Sequence, residues 1–177
     1  MTLQLSLDRY TQNYGEDEHV VACMRFLHEA EQPFHRETLA GHFTGSAWLV
    51  DASGERVLLT HHRKLQRWLQ LGGHADGDRD LAAVALREAY EESGLKDLTV
   101  ESEIFDVDRH WIPERKNEPG HWHYDVRYVV RVGGSEHFVM SDESLELAWI
   151  SIRHLAEAQD TDESLRRMAR KWLARVA

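Results

Sequence analysis

An α/β fold, with a mixed sheet held between helical layers, is predicted by three observations. Short apolar runs of strand length recur between residues 46 and 151. One segment, Asp80 to Glu92, repeats its apolar residues at helical spacing instead. Amphipathic helical patterns lie towards both ends of the chain. At 177 residues, with 42% apolar and 29% charged side chains, the chain can build one domain with a substantial core.

The elements follow in order. Residues 17–30 place Val20, Met24 and Leu27 at helical spacing, with Val21 and His28 beside them, and Pro33 stops the helix. This defines an N-terminal helical extension, residues 1–43, packed on a domain of residues 44–177. S-A-W-L-V-D at 46–51 and E-R-V-L-L-T at 55–60 flank A-S-G and predict a hairpin. W-L-Q-L at 68–71 is a further strand, stopped by Gly72-Gly73. From Asp80 to Glu92 the stripe is Leu81, Ala82, Ala85 and Ala89, with Asp78 or Asp80 as N-cap and Gly94 as the stop. Residues 98–108 and 123–132 read as long strands, with Gly133-Gly134 as a turn, and 145–151 as another. Asp162 to Val176 is helical, with Leu165, Met168, Ala169, Trp172 and Val176 on its apolar side.

Composition excludes several classes. A net charge of −10 argues against a nonspecific duplex-DNA binder, which needs a basic footprint. It permits a phosphate-bearing substrate, because divalent cations bridge anionic partners. No run of about 18 apolar residues predicts a membrane span, and the first residues lack the pattern of a secretory signal. The single cysteine, Cys23, allows no internal disulfide. A cytoplasmic protein is the expectation.

The chemistry concentrates in R-E-A-Y-E-E-S-G, Arg87 to Gly94. At about 100° per residue, Glu91 lies roughly 60° to one side of Glu88, and Glu92 roughly 40° to the other. Three carboxylates thus share one face at the negative end of a helix, where like charges are unfavourable. The preceding loop, Q-L-G-G-H-A-D-G-D-R-D, is rich in glycine and aspartate, and glycine lets the backbone approach a ligand closely. Mg²⁺ favours such oxygen donors, commonly one or two carboxylates with water and substrate phosphate. A bound cation would also remove the repulsion.

This arrangement resembles the Nudix box: Gly73, five residues, a Glu position, seven residues, then R-E-A-Y-E-E-S-G-L ending at Leu95. One position departs, since Arg79 stands where the family carries its first Glu. The resemblance implies an α/β/α sandwich whose box helix holds Mg²⁺ or Mn²⁺. It implies Glu88 and Glu92 as direct metal ligands. Glu91 would be a further ligand or act through water, and the carbonyl of Gly72 or Gly73 would complete the shell. Arg87 would orient a glutamate. Asp78 and Asp80 flank Arg79 and could substitute for the missing carboxylate.

The implied reaction is hydrolysis of a small nucleotide-type diphosphate, a nucleoside diphosphate linked to another group. The general base would be Glu91 or Glu88, or Glu143 from a later loop, with Glu146 second to it. Arg63 and Arg67 could meet phosphate oxygens, and His123 could face the cleft. Trp111 and Trp122 could stack a flat group, while Trp48, Trp68, Trp149 and Trp172 read as core. Among 12 histidines a zinc site including His121 and His123 is conceivable, but no cysteine pair or H-E-x-x-H supports it. Two alternatives stand beside the hydrolase. Arg79 is the sole support for a Nudix-like domain that binds a nucleotide or partner without turnover. Isomerisation of isopentenyl diphosphate would need a catalytic cysteine, and Cys23 lies far upstream of the box. A homodimer is compatible with the N-terminal segment.

Overall fold

The structure, a computed structural model, describes residues 2–63, 66–115, 119–139 and 144–176. Two helices open the chain: α1 (Leu3–Tyr14) and α2 (Glu18–Glu29). The first, absent from the sequence expectation, starts with L-Q-L-S-L, which alternates like a strand. Its buried residues Leu3, Leu7 and Tyr10 nonetheless follow helical spacing. In α2 the Asp17 carboxylate accepts the N–H groups of His19 and Val20. The buried face of α2 is Val20, Ala22, Cys23 and Phe26, with the expected Met24 and Leu27 only partly buried beside it.

β1 (Gly41–Val50), β2 (Arg56–His62), β3 (Arg67–His74), β4 (Leu98–Ile112), β5 (His121–Val132) and β6 (Ser144–Ser151) form one sheet in the order β4-β5-β1-β3-β2-β6. β1 and β5 run parallel, with His42 opposite His123 and Thr44 opposite Asp125; the other pairings are antiparallel. The expected hairpin of β1 and β2 is reduced to the pair Val50 and Val57. β1 is instead flanked by β3 and β5, because its side chains are buried on both faces. A second correction concerns Gly72 and Gly73, which lie inside β3, paired with Ser46 and Gly45 of β1.

α3 (Leu81–Ser93) follows β3; α4 (Ile152–Glu157) and α5 (Glu163–Val176) follow β6. One face of the sheet packs Phe43, Ala47, Tyr124, Val126 and Tyr128 against α1, α2 and α3. The opposite face packs Trp48, Val50, Val57, Leu59 and Val129 against α4 and α5. Alternate residues of each strand thus feed two cores, giving the mixed α/β layering expected. Trp48 and Trp172 are buried as expected; Trp68 and Trp149 only partly, and Val176, the last residue of α5, is exposed. No helix among the described residues is long and apolar enough to cross a membrane.

Candidate active site

α3 is fixed at both ends. Asp80 Oδ1 accepts the N–H of Ala83, and Gly94 closes the helix at φ 64°, in the left-handed region. Leu81, Val84, Ala85 and Ala89 face the core, which directs the glutamates of its last turns towards β3. Glu88 lies against Gly73 so closely that a Cβ there would stand 2.5 Å from its carboxyl carbon. Glu92, only 8% exposed, accepts the N–H of Gly72 at 2.8 Å. The Arg87 guanidinium donates to Glu88 Oε1 and to the His74 carbonyl oxygen, both at 3.1 Å. Glu91 is on the same turn and exposed. Glu88, Glu92, Arg87 and the two glycines therefore meet at one corner, which offers oxygen donors suited to a hard cation.

The loop before α3 has its own ties. Asp78 Oδ1 accepts the N–H of Asp80, and Asp80 caps α3, so both carboxylates beside Arg79 serve the helix start. Arg79 is exposed, its guanidinium 5.7 Å from the centre of the Phe34 ring. Asp76 forms a two-pronged pair with Arg36, which anchors the loop to the segment after α2.

Other expected residues lie elsewhere. Arg67 begins β3 and Gly73 nears its end, about 20 Å apart at ~3.3 Å per residue. Arg67 instead approaches Asp162 at 3.5 Å, and Arg63 lies in the exposed turn of the same hairpin. The structure does not bring either to the acidic corner. Glu143 lies outside the described residues; Glu146 is exposed, opposite His61. Trp111 and Trp122 contact each other with ring centres 5.2 Å apart, and Arg109 covers Trp122 at 4.3 Å. Cys23 is fully buried, and burial pushes its thiol up, so it does not supply the thiol an isomerase would need.

The sheet face opposite α3 carries polar chemistry that sequence reading missed. Arg127, 1% exposed, donates to Asp125, Asp106 and Asp108 at 2.7, 3.1 and 2.9 Å. Asp106 also accepts from Arg167 and Lys171 of α5, and Asp125 from Thr44, Ser46 and Gln70. Burial opposes the charge on Asp108, yet Arg127 and His110 outweigh it and hold that carboxyl far below the usual range. The available signal was D-V-D at 106–108 facing D-V-R at 125–127 across two strands.

Beyond this network the same face holds histidines. His42, His74 and His123 can bring one ligand atom each within 4.8 Å of one another. His42 is 2% exposed, and neither ring nitrogen has a hydrogen-bond partner among the described residues. Its ring centre lies 4.9 Å from those of His74, His121 and His123 alike. His123 is thus placed among histidines rather than beside Glu88. Burial, reinforced by neighbouring imidazoles, lowers His42 to about 4 and His123 to about 2, so both are neutral at pH 7.

The NUDIX domain family matches residues 41–172 of the chain. Among solved structures, a NUDIX-family hydrolase from Clostridium perfringens aligns with a TM-score of 0.57 at 24% identity, covering 77% of this chain and 98% of that one. A C. elegans Ap4A hydrolase in a binary complex gives 0.59 at 18% identity, covering 76% and 96%. The MutT protein of Methanosarcina mazei Go1 gives 0.58 at 18% identity, covering 84% and 99%. These likenesses concern the fold. No curated protein matches the sequence.

Proposed function

The chain belongs to the Nudix family, and from that membership we propose that this pyrophosphohydrolase is Mg²⁺- or Mn²⁺-dependent and cleaves the diphosphate linkage of a nucleoside diphosphate joined to a second group. The observation that carries this reading is the meeting of Glu88 and Glu92, one helical turn apart, with the adjacent glycines of β3. The donor set fits a hard divalent cation: carboxylate and backbone oxygens beside a glycine whose missing Cβ leaves room for a carboxylate. Glu88 and Glu92 would hold the ion, with Glu91 and a carbonyl of Gly72 or Gly73. When bound, the ion neutralises the diphosphate and acidifies an adjacent water.

The chain's own groups do the rest. Arg87 holds Glu88 in place through its contact with Oε1 while anchored on the His74 carbonyl. Glu91, the exposed carboxylate of the turn, removes the proton of the attacking water, with Glu88 or Glu143 as the other candidates. The water oxygen bonds to phosphorus, and the bridging oxygen leaves with the second phosphate.

A panel of nucleoside triphosphates, nucleotide sugars, ADP-ribose and Ap4A, incubated with Mg²⁺ or Mn²⁺ and followed by product mass, tests this reading. Phosphate-ended products from at least one compound are expected, and Glu92→Gln should abolish them. Saturable binding without turnover in either form would identify a binding domain instead.

A further inference from the structure

We propose that His42, His74 and His123, with His121 as a fourth nitrogen donor, form a binding site for a transition-metal ion of the Zn²⁺ class, separate from the acidic corner. The donors come from β1, β3 and β5, three neighbouring strands, so the positions are set by the sheet and not by a loop. The first observation is convergence: three ligand atoms lie within 4.8 Å of one another, and His42 stands at equal ring distance from three other imidazoles. Nitrogens sharing a tetrahedral ion at Zn–N bonds of about 2.0–2.1 Å are ~3.3 Å apart, so side-chain movements on the order of 1 Å would close the set.

The second observation concerns the hydrogen bonds. His42 is buried with neither ring nitrogen partnered among the described residues, an unfavourable situation for polar atoms cut off from water. A metal bond would satisfy the ring's lone pair. His121 is already oriented as a ligand: its Nδ1–H donates to the Pro119 carbonyl at 2.8 Å, leaving the Nε2 lone pair directed at His123. The two Nε2 atoms are 3.2 Å apart, matching the spacing of two donors on one tetrahedral ion. One proton now lies between them. On binding, that proton moves to Nδ1 of His123 and both Nε2 lone pairs face the ion.

Donor chemistry separates the two sites. Four imidazoles and no carboxylate suit Zn²⁺ or Co²⁺ and disfavour Mg²⁺, which demands oxygen donors. Occupancy would tie β1, β3 and β5 together directly behind Gly73, whose next residue, His74, contributes its ring to this cluster while its carbonyl oxygen accepts from Arg87.

The test uses the full chain, stripped of metal and titrated with Co²⁺ while visible absorption is recorded. One equivalent should produce the intense bands of four-coordinate cobalt, which persist in millimolar Mg²⁺ and are displaced by one equivalent of Zn²⁺. His42→Phe and the more exposed His74→Gln should each lose the bands while keeping the far-ultraviolet circular dichroism of the parent. Glu88→Gln with Glu92→Gln should keep the bands while losing hydrolysis, which separates failure of this site from failure of the hydrolase reading. Absence of the bands in the parent protein, their persistence in folded His74→Gln, or their loss in the double glutamine variant would overturn the proposal. If His42→Phe does not fold, the parent and His74→Gln results decide.

Discussion

Arg87 donates to the carbonyl oxygen of His74 at 3.1 Å, so a residue whose ring faces one side of the sheet has its backbone engaged from the other. The acidic turn and the histidine cluster are therefore joined through a single residue at the end of β3. Disturbance at that point should be felt as altered chemistry before it is felt as lost stability.

Gly73→Ala tests that corner. The added methyl would stand 2.5 Å from the Glu88 carboxyl carbon, so the carboxylate must move. Hydrolysis should fall about 10–100-fold, the range for misplacing a metal ligand through its support. The thermal midpoint should change by only a few degrees, since the methyl meets the end of a flexible side chain and opens no cavity. Activity and melting are measured on the same preparation.

The buried charges predict a large stability effect. Arg127→Ala would leave Asp106, Asp108 and Asp125 short of their shared partner. A loss of about 3–5 kcal/mol is expected from uncompensated buried charge, read as a lowered urea midpoint. A change under ~1 kcal/mol would show that Arg167 and Lys171 suffice alone.

The same network predicts acid sensitivity. Asp106 and Asp108 have folded-state carboxyls below their ordinary range: burial raises them, but Arg127 and the other charged partners prevail. A depressed carboxyl stabilises the fold above its unfolded value, near 3.9, and that contribution disappears as pH falls towards the folded value. Stability should thus decline steeply below about pH 4. In Asp108→Asn the slope should be shallower, as shown by denaturant titrations at stepped pH.

His42 should be dispensable to the metal-free fold. Replacing a buried imidazole that has no hydrogen-bond partner among the described residues by Leu removes an unsatisfied group, which is nearly neutral or stabilising by up to about 1 kcal/mol. Melting in the presence of a chelator should show an equal or higher midpoint for His42→Leu. Marked destabilisation would mean that the ring is held by contacts other than hydrogen bonds.

Phe26 measures how firmly α2 belongs to the core. Its ring stacks on Tyr124 at 4.0 Å and touches Phe43 at 5.8 Å. Phe26→Ala should cost about 3 kcal/mol, as measured by denaturant unfolding. A much smaller cost would make the helix a peripheral attachment.

Local sequence patterns exposed some of this and hid the rest. A cap at Asp78 or Asp80, which the structure assigns to Asp80, the stop at Gly94 and the shared face of Glu88, Glu91 and Glu92 are all short-range features, legible because a helix relates residues three and four apart. The contacts of Glu92 with Gly72 and of Glu88 with Gly73 also follow from one strand–loop–helix segment. The histidine cluster does not. His42, His74 and His123 sit on three strands, and only the register of β1 with β3 and β5 brings them together. Arg127 was hidden for the same reason, since a strand reading of D-V-R says nothing about the D-V-D across the ladder. Within the expected N-terminal helical extension, α1 itself was not legible, because L-Q-L-S-L alternates in period two and the helical spacing of Leu3, Leu7 and Tyr10 shows only in their burial.

The most direct measurement is turnover of the nucleotide panel by the parent chain and by Glu92→Gln, with and without Mg²⁺ or Mn²⁺. Glutamine keeps an acceptor for the Gly72 N–H while removing the negative charge, so fold and charge are separated. Metal-dependent release of phosphate-ended products by the parent, abolished by chelator and by the substitution, is the result expected. Equal turnover by Glu92→Gln, or turnover unaffected by chelation, would contradict the account.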